Sequence, residues 1–127
     1  MKTLADFLKI VPLSDFQSFD GEHLVTISGN APDHIVANNN LVLDDIPETG
    51  SPAGTFYKQS LMAVTDKLTD ARRLVYVLRR PVVVLLFTDT GVPVLWGNAE
   101  EKLRITITPT PNEDILNFSR KALSPVF

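Results

Sequence analysis

The sequence predicts an α+β domain with a mostly antiparallel sheet or a sandwich-like pair of sheets, one helix at about residues 70–80 packed on one face, and a short N-terminal helix. Three observations predict this class. Residues 102–108 alternate apolar and polar side chains, as a half-buried strand does. Residues 82–87 form an apolar, largely β-branched run that is typical of a central strand. Between a capping Thr69 and Pro81, apolar side chains recur with the helical period.

Length and composition predict a single domain over residues 1–127. The chain has 127 residues, 44% of them hydrophobic, and a formal net charge of −3, and single domains cluster near about 100–150 residues. The absence of cysteine excludes disulfides and thiol catalysis. No secretory signal is visible, and the apolar run 82–87 is far shorter than the ~18 residues needed to cross a bilayer. We therefore expect a cytoplasmic protein without a membrane partner.

The N-terminal helix is predicted over residues 3–11. Apolar side chains at i, i+3, i+4 and i+7 share one helical face, and they are Leu4, Phe7, Leu8 and Val11. A helix this short is marginal alone. Its apolar face is therefore expected to dock either on its own domain or on another subunit.

A β-hairpin and then a loop-rich insertion follow the N-terminal helix. Asp20-Gly21 lies between two strand-like segments, 16–19 and 24–28, and suits a type I′ turn. Residues 29–54 are rich in Gly, Pro and Asn, so they are predicted as a loop-rich insertion with one short strand at 41–43.

The second half of the chain is predicted to form the sheet and the main helix. Residues 56–68 are expected to form a long strand with few helix or strand breakers. The apolar stripe of the following helix is expected to be buried, and it consists of Ala71, Leu74, Val75 and Leu78. The remaining predicted strands are the central run 82–87, its partner 92–96, and the segments 102–108 and 115–119.

Asp89-Thr90-Gly91 follows an apolar strand, as the catalytic loop of the aspartic proteases does. In those enzymes two such loops bring two aspartates together to share a proton. One motif in a chain of this size would require a homodimer. However, Val92 stands where these proteases usually have Ala or Ser, and little chain follows the motif. A hairpin turn explains the triplet equally well, because Asp and Gly are turn residues.

The two histidines, His23 and His34, are the only imidazoles that could join an oxygen-rich metal site. The acids that could accompany them are Asp33, Asp44, Asp45 and Glu48. No known ligand spacing occurs, and Asp is common in loops. We therefore expect solvated loop acids and no metal or other cofactor.

The helix at 70–80 also carries a basic stripe around one aromatic side chain. The residues are Arg72, Arg73, Tyr76, Arg79 and Arg80. A small binding module for an anionic partner would use such a face. A solvated helix face is the alternative, since cations are favoured near a helix C-terminus.

The order of segments in the second half resembles that of small prophage-encoded structural proteins of Bacteroides-like bacteria, of the tail or head–tail type. The segments that carry the resemblance are 56–61, 68–70, 79–85, 88–91, 96–100 and 116–125. The resemblance implies assembly into rings or tubes without an active site, and it carries over no functional residue.

Together these observations predict a non-enzymatic structural or assembly protein, of phage or prophage origin, that acts through protein–protein contacts. Its expected partners are further copies of itself or other virion proteins. The mildly negative charge argues against nucleic acid. The alternatives from other classes are the anion-binding module and the dimeric aspartic protease.

Overall fold

The computed structural model describes residues 2–51, 54–77, 81–88 and 92–126. These residues are largely β. The strands are β1 (Lys2–Ala5), β2 (Phe7–Pro12), β3 (Phe16–Phe19), β4 (Leu24–Thr26), β5 (Asp33–Ile35), β6 (Leu41–Ser51), β7 (Gly54–Asp66), β8 (Val82–Phe87), β9 (Val94–Trp96), β10 (Arg104–Pro109) and β11 (Glu113–Ala122). The α-helix is α1 (Asp70–Val77), and a single 3-10 turn spans Leu13–Asp15.

The strands form two antiparallel sheets and a hairpin. Sheet A has the order β1-β6-β7-β11-β10, sheet B has the order β5-β2-β8-β9, and β3 pairs with β4. All the strand pairs are antiparallel. The prediction of a mostly antiparallel architecture with a helix near residue 70 is therefore confirmed, whereas the α+β class fits this largely β chain only loosely.

One face of sheet A and one face of sheet B supply a common core. The buried cluster takes alternate residues from each strand, as the period of two requires. Its members include Leu8, Ile10, Leu43, Leu61, Ala63, Val84, Leu86, Trp96, Ile105, Leu116 and Phe118. The Val82 N–H also donates to the Leu103 carbonyl at 3.1 Å, which ties the start of β8 to the residue before β10.

The predicted N-terminal helix is wrong, because residues 2–12 form β1 and β2. β2 lies inside sheet B, with β5 on one side and β8 on the other. Its alternate residues Leu8 and Ile10 are buried in the core. Strand pairing on both sides satisfies the backbone of β2, so tertiary structure overrides the helical spacing.

The predicted loop-rich insertion at 29–54 contains two strands. β5 is short, but β6 runs for eleven residues, so the expectation of loop after residue 43 is wrong. β6 is paired with β7 from Asp44 to Glu48. Since β1 pairs with β6 only up to Asp44, Pro47 falls where β6 has a paired neighbour on one side, a position that tolerates proline.

The hairpin and the later strands match the sequence-based predictions closely. β3 and β4 flank Asp20-Gly21, and Gly21 has a φ of 101°, a conformation that glycine adopts without strain. β8 is an inner strand of sheet B and is paired with β9, as expected. Leu103 and Ile105 are fully buried at alternate positions before and in β10.

The helix begins as predicted but faces another way. The Arg72 N–H donates to Thr69 Oγ1 at 3.3 Å, so Thr69 caps α1. The stripe expected to be buried is wrong at Ala71 and at Leu74, which is 61% exposed. Tyr76, expected on the outer face, is buried in the core cluster. Leu78 lies outside the described residues.

In the described part of the chain, no helix is long and apolar enough to span a membrane.

Candidate interaction surface

The four N-terminal residues predicted to share one apolar face are distributed over both sheets. Leu4 lies on the face of sheet A that points away from the core, where it is 68% exposed. Leu8 is in the core, whereas Phe7 and Val11 lie on the other face of β2. There the Phe7 ring stacks on the Phe87 ring, with 4.3 Å between centroids. Of the four, Leu4 is the one left exposed for contact.

Arg72 and Tyr76 are both held by Asp33 of β5. The Arg72 Nε donates to Asp33 Oδ2 at 3.1 Å, and a second guanidinium nitrogen lies 2.8 Å from Oδ1, so the ion pair is bidentate. The Tyr76 hydroxyl donates to the same carboxylate. Burial raises the pKa of Tyr76, and the bond to Asp33 adds to the effect, so the phenol stays protonated as a donor.

Arg73 is held by a second carboxylate, Asp114 of β11, which is fully buried. Asp114 Oδ2 accepts hydrogen bonds from Arg73 at 3.1 Å and from the Leu68 N–H at 3.0 Å, and Oδ1 accepts one from Lys67 at 3.2 Å. Burial raises the pKa of Asp114, but the bonds from Leu68, Lys67 and Arg73 outweigh it and hold this pKa below its usual value.

These two carboxylates explain the orientation of α1. Residues i and i+4, here Arg72 and Tyr76, share a helical face, and the polar groups of both need Asp33. Together with Arg73 they turn this face toward the sheets, which is a correction to the outer face expected from the sequence. The arginines therefore link α1 to β5 and β11, and their charge is matched by acids of the same chain. Arg79 and Arg80 lie outside the described residues.

A cleft of about 300 Å³ lies beside the Asp33–Arg72 pair. Its lining residues are Ile10, Val11, Pro12, Asp15, Thr26, Asn30, Ala31, Pro32, Asp33, Arg72, Val75 and Tyr76. Half of these side chains are apolar, and the charged groups of Asp33 and Arg72 bind each other. The cleft is at the small end of the range for ligand pockets.

A second buried polar cluster surrounds Gln59 of β7. The Gln59 Oε1 accepts hydrogen bonds from Trp96 Nε1 at 2.9 Å and from Arg120 Nε at 2.6 Å. The Gln59 amide nitrogen donates to the Ser124 carbonyl at 3.1 Å and to Asp45 Oδ1 at 3.4 Å. One neutral side chain thus connects strands of both sheets to the C-terminal segment.

The C-terminal segment, residues 123–126, is fixed to this cluster by two carboxylates. The Val126 N–H donates to Asp45 Oδ2 at 2.8 Å, and the Leu123 N–H donates to Glu101 Oε2 at 2.6 Å. Val126 packs against the core. The C-terminal segment therefore packs on the rest of the domain and is held there by hydrogen bonds to side chains.

The face of sheet A opposite the core, the outer face, carries both apolar and charged groups. Its residues alternate with the buried ones along each strand, and they include Leu4, Val42, Asp44, Ile46, Lys58, Ser60, Met62, Val64, Asp66, Arg104, Thr106, Glu113, Ile115, Asn117, Ser119 and Lys121. Three of its apolar side chains are prominent: Leu4 at 68%, Ile46 at 51% and Met62 at 48% exposure.

Two adjoining depressions lie on the outer face. One, of about 410 Å³, is lined by residues that include Val42, Met62 and Asn117. The other, of about 340 Å³, has a basic lining of Lys58, Lys102, Arg104, Arg120 and Lys121. Ser60 and Ser119 border both, so apolar and basic surface are continuous.

The two histidines have different surroundings within the part of the chain that the structure describes. His23 is exposed and 3.6 Å from Asp20, and His34 lies against the Phe7 ring. Over residues 2–51, 54–77, 81–88 and 92–126, no group of three or more His, Asp or Glu is placed to hold a metal ion. Asp89-Thr90-Gly91 lies outside the described residues, so the protease motif stays a sequence-based prediction.

Two polar residues central to this geometry, Gln59 and Asp114, were not singled out from the sequence. A signal was present for each. Gln59 is two and four residues from Leu61 and Ala63, and Asp114 precedes Leu116 by two, so the strand period places both on the core face.

Comparison of the chain with protein-family models, curated proteins and solved structures found no match.

Proposed function

We propose that this protein is a non-enzymatic assembly protein that acts through protein–protein contacts made by the outer face of sheet A. The observation that carries the proposal is the exposed apolar row on a sheet whose other face is already in the core. Leu4 is in register with Val42, and Val42 and Met62 line the same depression, so the row runs from the edge strand β1 to β7.

The composition of the outer face is that of a contact surface. A sheet face that serves only as solvated surface is polar along its strands, whereas here Leu4, Ile46 and Met62 are about half exposed or more. Apolar groups bordered by polar ones mark interaction sites. The depressions around Met62 and Lys121 make the face uneven, so that a partner of complementary shape can pack into it.

The alternative, an anion-binding module on the helix, has weaker support. Arg72 and Arg73 are bound to Asp33 and Asp114, so an external anion would have to displace internal carboxylates. The assembly role also agrees with what the resemblance to prophage structural proteins implies. A virion component of the tail or head–tail type is therefore the class of assembly that we propose.

Oxidation of Met62 tests the proposal directly. In the isolated subunit the Met62 thioether is accessible, so dilute peroxide should convert it to the sulfoxide. In the source cells, where the partner is present, we expect the Met62 oxidation rate to fall at least several-fold. Mass spectrometry of the peptide that contains residue 62 measures both rates.

The matched control is a methionine on a surface outside the proposed contact. Leu74→Met places a thioether on the exposed side of α1, at a position of comparable exposure. Cellular reduction of methionine sulfoxide lowers the net oxidation rate at both positions, so the contact should lower the ratio of the Met62 rate to this control rate in cells. Equal oxidation of Met62 and of the Leu74→Met control in cells would contradict a contact through sheet A.

A further inference from the structure

The outer face of sheet A reverses its charge from one end to the other along β7 and β11. At one end Asp66 is directly opposite Glu113, and at the other Lys58 is directly opposite Lys121. Like charges directly opposite each other on a sheet are destabilising, so neither pair is explained by the stability of the sheet. The four residues share one face because they are separated by even numbers along each strand.

The neighbouring groups leave this polarity in place. At the acidic end, the Asn38 amide donates to both Asp66 at 3.0 Å and Glu113 at 2.9 Å, which relieves repulsion without changing the charge. The cation next in sequence, Lys67, is bound to the buried Asp114.

At the basic end, Lys58 has Glu48 at 3.6 Å, and Asp44 lies on the same face. The nearby cations Lys102 and Arg104 line the depression together with Lys121. The basic end therefore has more cations than acids, and its net positive charge is reduced but not cancelled by Glu48 and Asp44.

The centre of the face lies midway between the charged ends. Met62 is four residues from both Lys58 and Asp66, and its cross-strand partner Asn117 is four residues from both Glu113 and Lys121. The apolar row passes through this centre, from Met62 toward Val42 and Leu4. Consider a two-fold axis that passes through the Met62 side chain parallel to the plane of the sheet, across its strands. It would place the acidic end of each subunit against the basic end of the other, and the two apolar rows against each other.

We propose that the partner bound by this face is a second copy of the same chain, stacked antiparallel so that Lys58 and Lys121 of each subunit meet Asp66 and Glu113 of the other. This inference rests on the proposed function and names its partner. An isologous dimer requires a self-complementary patch, and the reversal of charge about Met62 supplies one.

The size of the face predicts a reversible dimer. The eight residue steps from Lys58 to Asp66, at ~3.4 Å each, and the four spacings between the five strands, at ~4.8 Å each, give an area of about 500 Å² per subunit. The total is about 1,000 Å², which is the lower end for specific interfaces. Such a dimer should dissociate on dilution. Added salt should weaken it further, because exposed charges are screened over about 8 Å at physiological ionic strength.

A charge-exchange experiment tests the proposal. One variant carries Lys58→Glu and Lys121→Glu, so both ends are acidic, and the other carries Asp66→Lys and Glu113→Lys, so both ends are basic. Each variant alone should sediment as a monomer of 14.1 kDa. Their equimolar mixture should restore a closed dimer, because acidic ends then meet basic ends. Sedimentation equilibrium gives the masses, and circular dichroism confirms that each variant is folded.

Two further variants guard against a change in folding or in overall charge. Asp6→Lys with Glu22→Lys makes the same change in net charge as the variant with two basic ends, at exposed positions outside sheet A, and it should dimerise like the wild type. Met62→Glu places two carboxylates at the two-fold axis without altering either end, and it should lower dimer affinity at least tenfold. Failure of the mixture to dimerise, or equal loss in the control, would overturn the proposal.

Other outcomes separate this inference from the proposed function. A wild type that stays monomeric at its highest soluble concentration, while Met62 is still protected in cells, would overturn the self-association and leave a different protein as the partner. Oligomers that grow beyond the dimer would overturn the closed two-fold arrangement. Binding of a DNA oligonucleotide by a monomeric wild type, lost in the Lys58→Glu and Lys121→Glu variant, would assign the basic end to nucleic acid instead.

Discussion

The two buried polar clusters of this protein fix two different parts of the chain by different chemistry. The Asp114 cluster binds the segment that leads into α1 through a carboxylate and two cations. The Gln59 cluster binds Trp96, Arg120 and the C-terminal segment through a neutral amide. Asp114 lies near the acidic end of β11 and Gln59 near the basic end of β7. The central side chain is a carboxylate in the Asp114 cluster and a neutral amide in the Gln59 cluster, so the two clusters should respond differently when that central residue is mutated and when the pH is changed.

Asp114→Asn should have the largest effect on stability. It removes the charge of a fully buried carboxylate and leaves Arg73 and Lys67 without their counter-ion. Loss of one partner of a buried ion pair costs about 3–5 kcal/mol, and we expect about 3 kcal/mol here because both cations are about one-third exposed. Urea unfolding followed by fluorescence of the single tryptophan, Trp96, measures the change.

Asp6→Asn is the control for this substitution, since it removes the same charge from an exposed position. Surface changes of this kind are usually within about 0.5 kcal/mol. If Asp114→Asn lowers the free energy of unfolding no more than Asp6→Asn does, then the two cations rehydrate freely and the Asp114 cluster contributes little to stability.

Acidification should abolish the same contribution gradually. The hydrogen bonds to Asp114 hold its pKa in the folded protein below the unfolded value of 3.8. A group with a lowered folded pKa stabilises the protein above its unfolded pKa, and this stabilisation is lost as the pH falls through the folded pKa. The stability gap between wild type and Asp114→Asn should therefore be constant near neutrality and should narrow below about pH 4. A gap that widens on acidification has the wrong sign for this account.

Gln59→Leu should have the next largest effect. It removes the acceptor for the buried Trp96 Nε1 and for the half-buried Arg120 Nε, at a cost of about 2 kcal/mol. Gln17→Leu makes the same chemical change at an exposed position of β3 and should be nearly neutral. The Gln59→Leu loss should be the same at pH 7 and pH 4, because the amide does not titrate. A strongly pH-dependent loss would show that Asp45, not Gln59, is the essential member of this cluster.

Much of the fold was predictable because strand periodicity is local. The alternation at Leu103 and Ile105, the buried run of β8 and the turn at Gly21 all follow from neighbouring residues. The helical interpretation of residues 3–11 failed because β2 gains its partners, β5 and β8, from distant parts of the chain. The orientation of α1 could not be read from its own stripe, since it depends on Asp33 and Asp114, which lie outside the helix.

The interaction surface was predictable only in part. The sequence predicts Leu4 as a contact residue on a helix, whereas the structure places it exposed on the edge strand β1 of the proposed surface. The pairing of Lys58 with Lys121 and of Asp66 with Glu113 depends on the register between β7 and β11. Register over such separations is set by which face is buried on both strands. The sequence therefore contained the charges but not their alignment.

Thr69→Ala should have the smallest effect, and it asks how far the two clusters are independent. The Thr69 hydroxyl accepts the Arg72 N–H at the start of α1, and loss of such a cap costs about 1 kcal/mol. Thr69→Ser, which retains the hydroxyl, should restore most of it. Hydrogen exchange should show faster exchange at the amides of α1, including Arg72, while Leu123 and Val126 keep the protection that Glu101 and Asp45 give them. Equal loss of protection in the helix and in the C-terminal segment would mean that both parts of the chain open as one unit. The difference between the Asp114 cluster and the Gln59 cluster would then have no effect on how the protein unfolds.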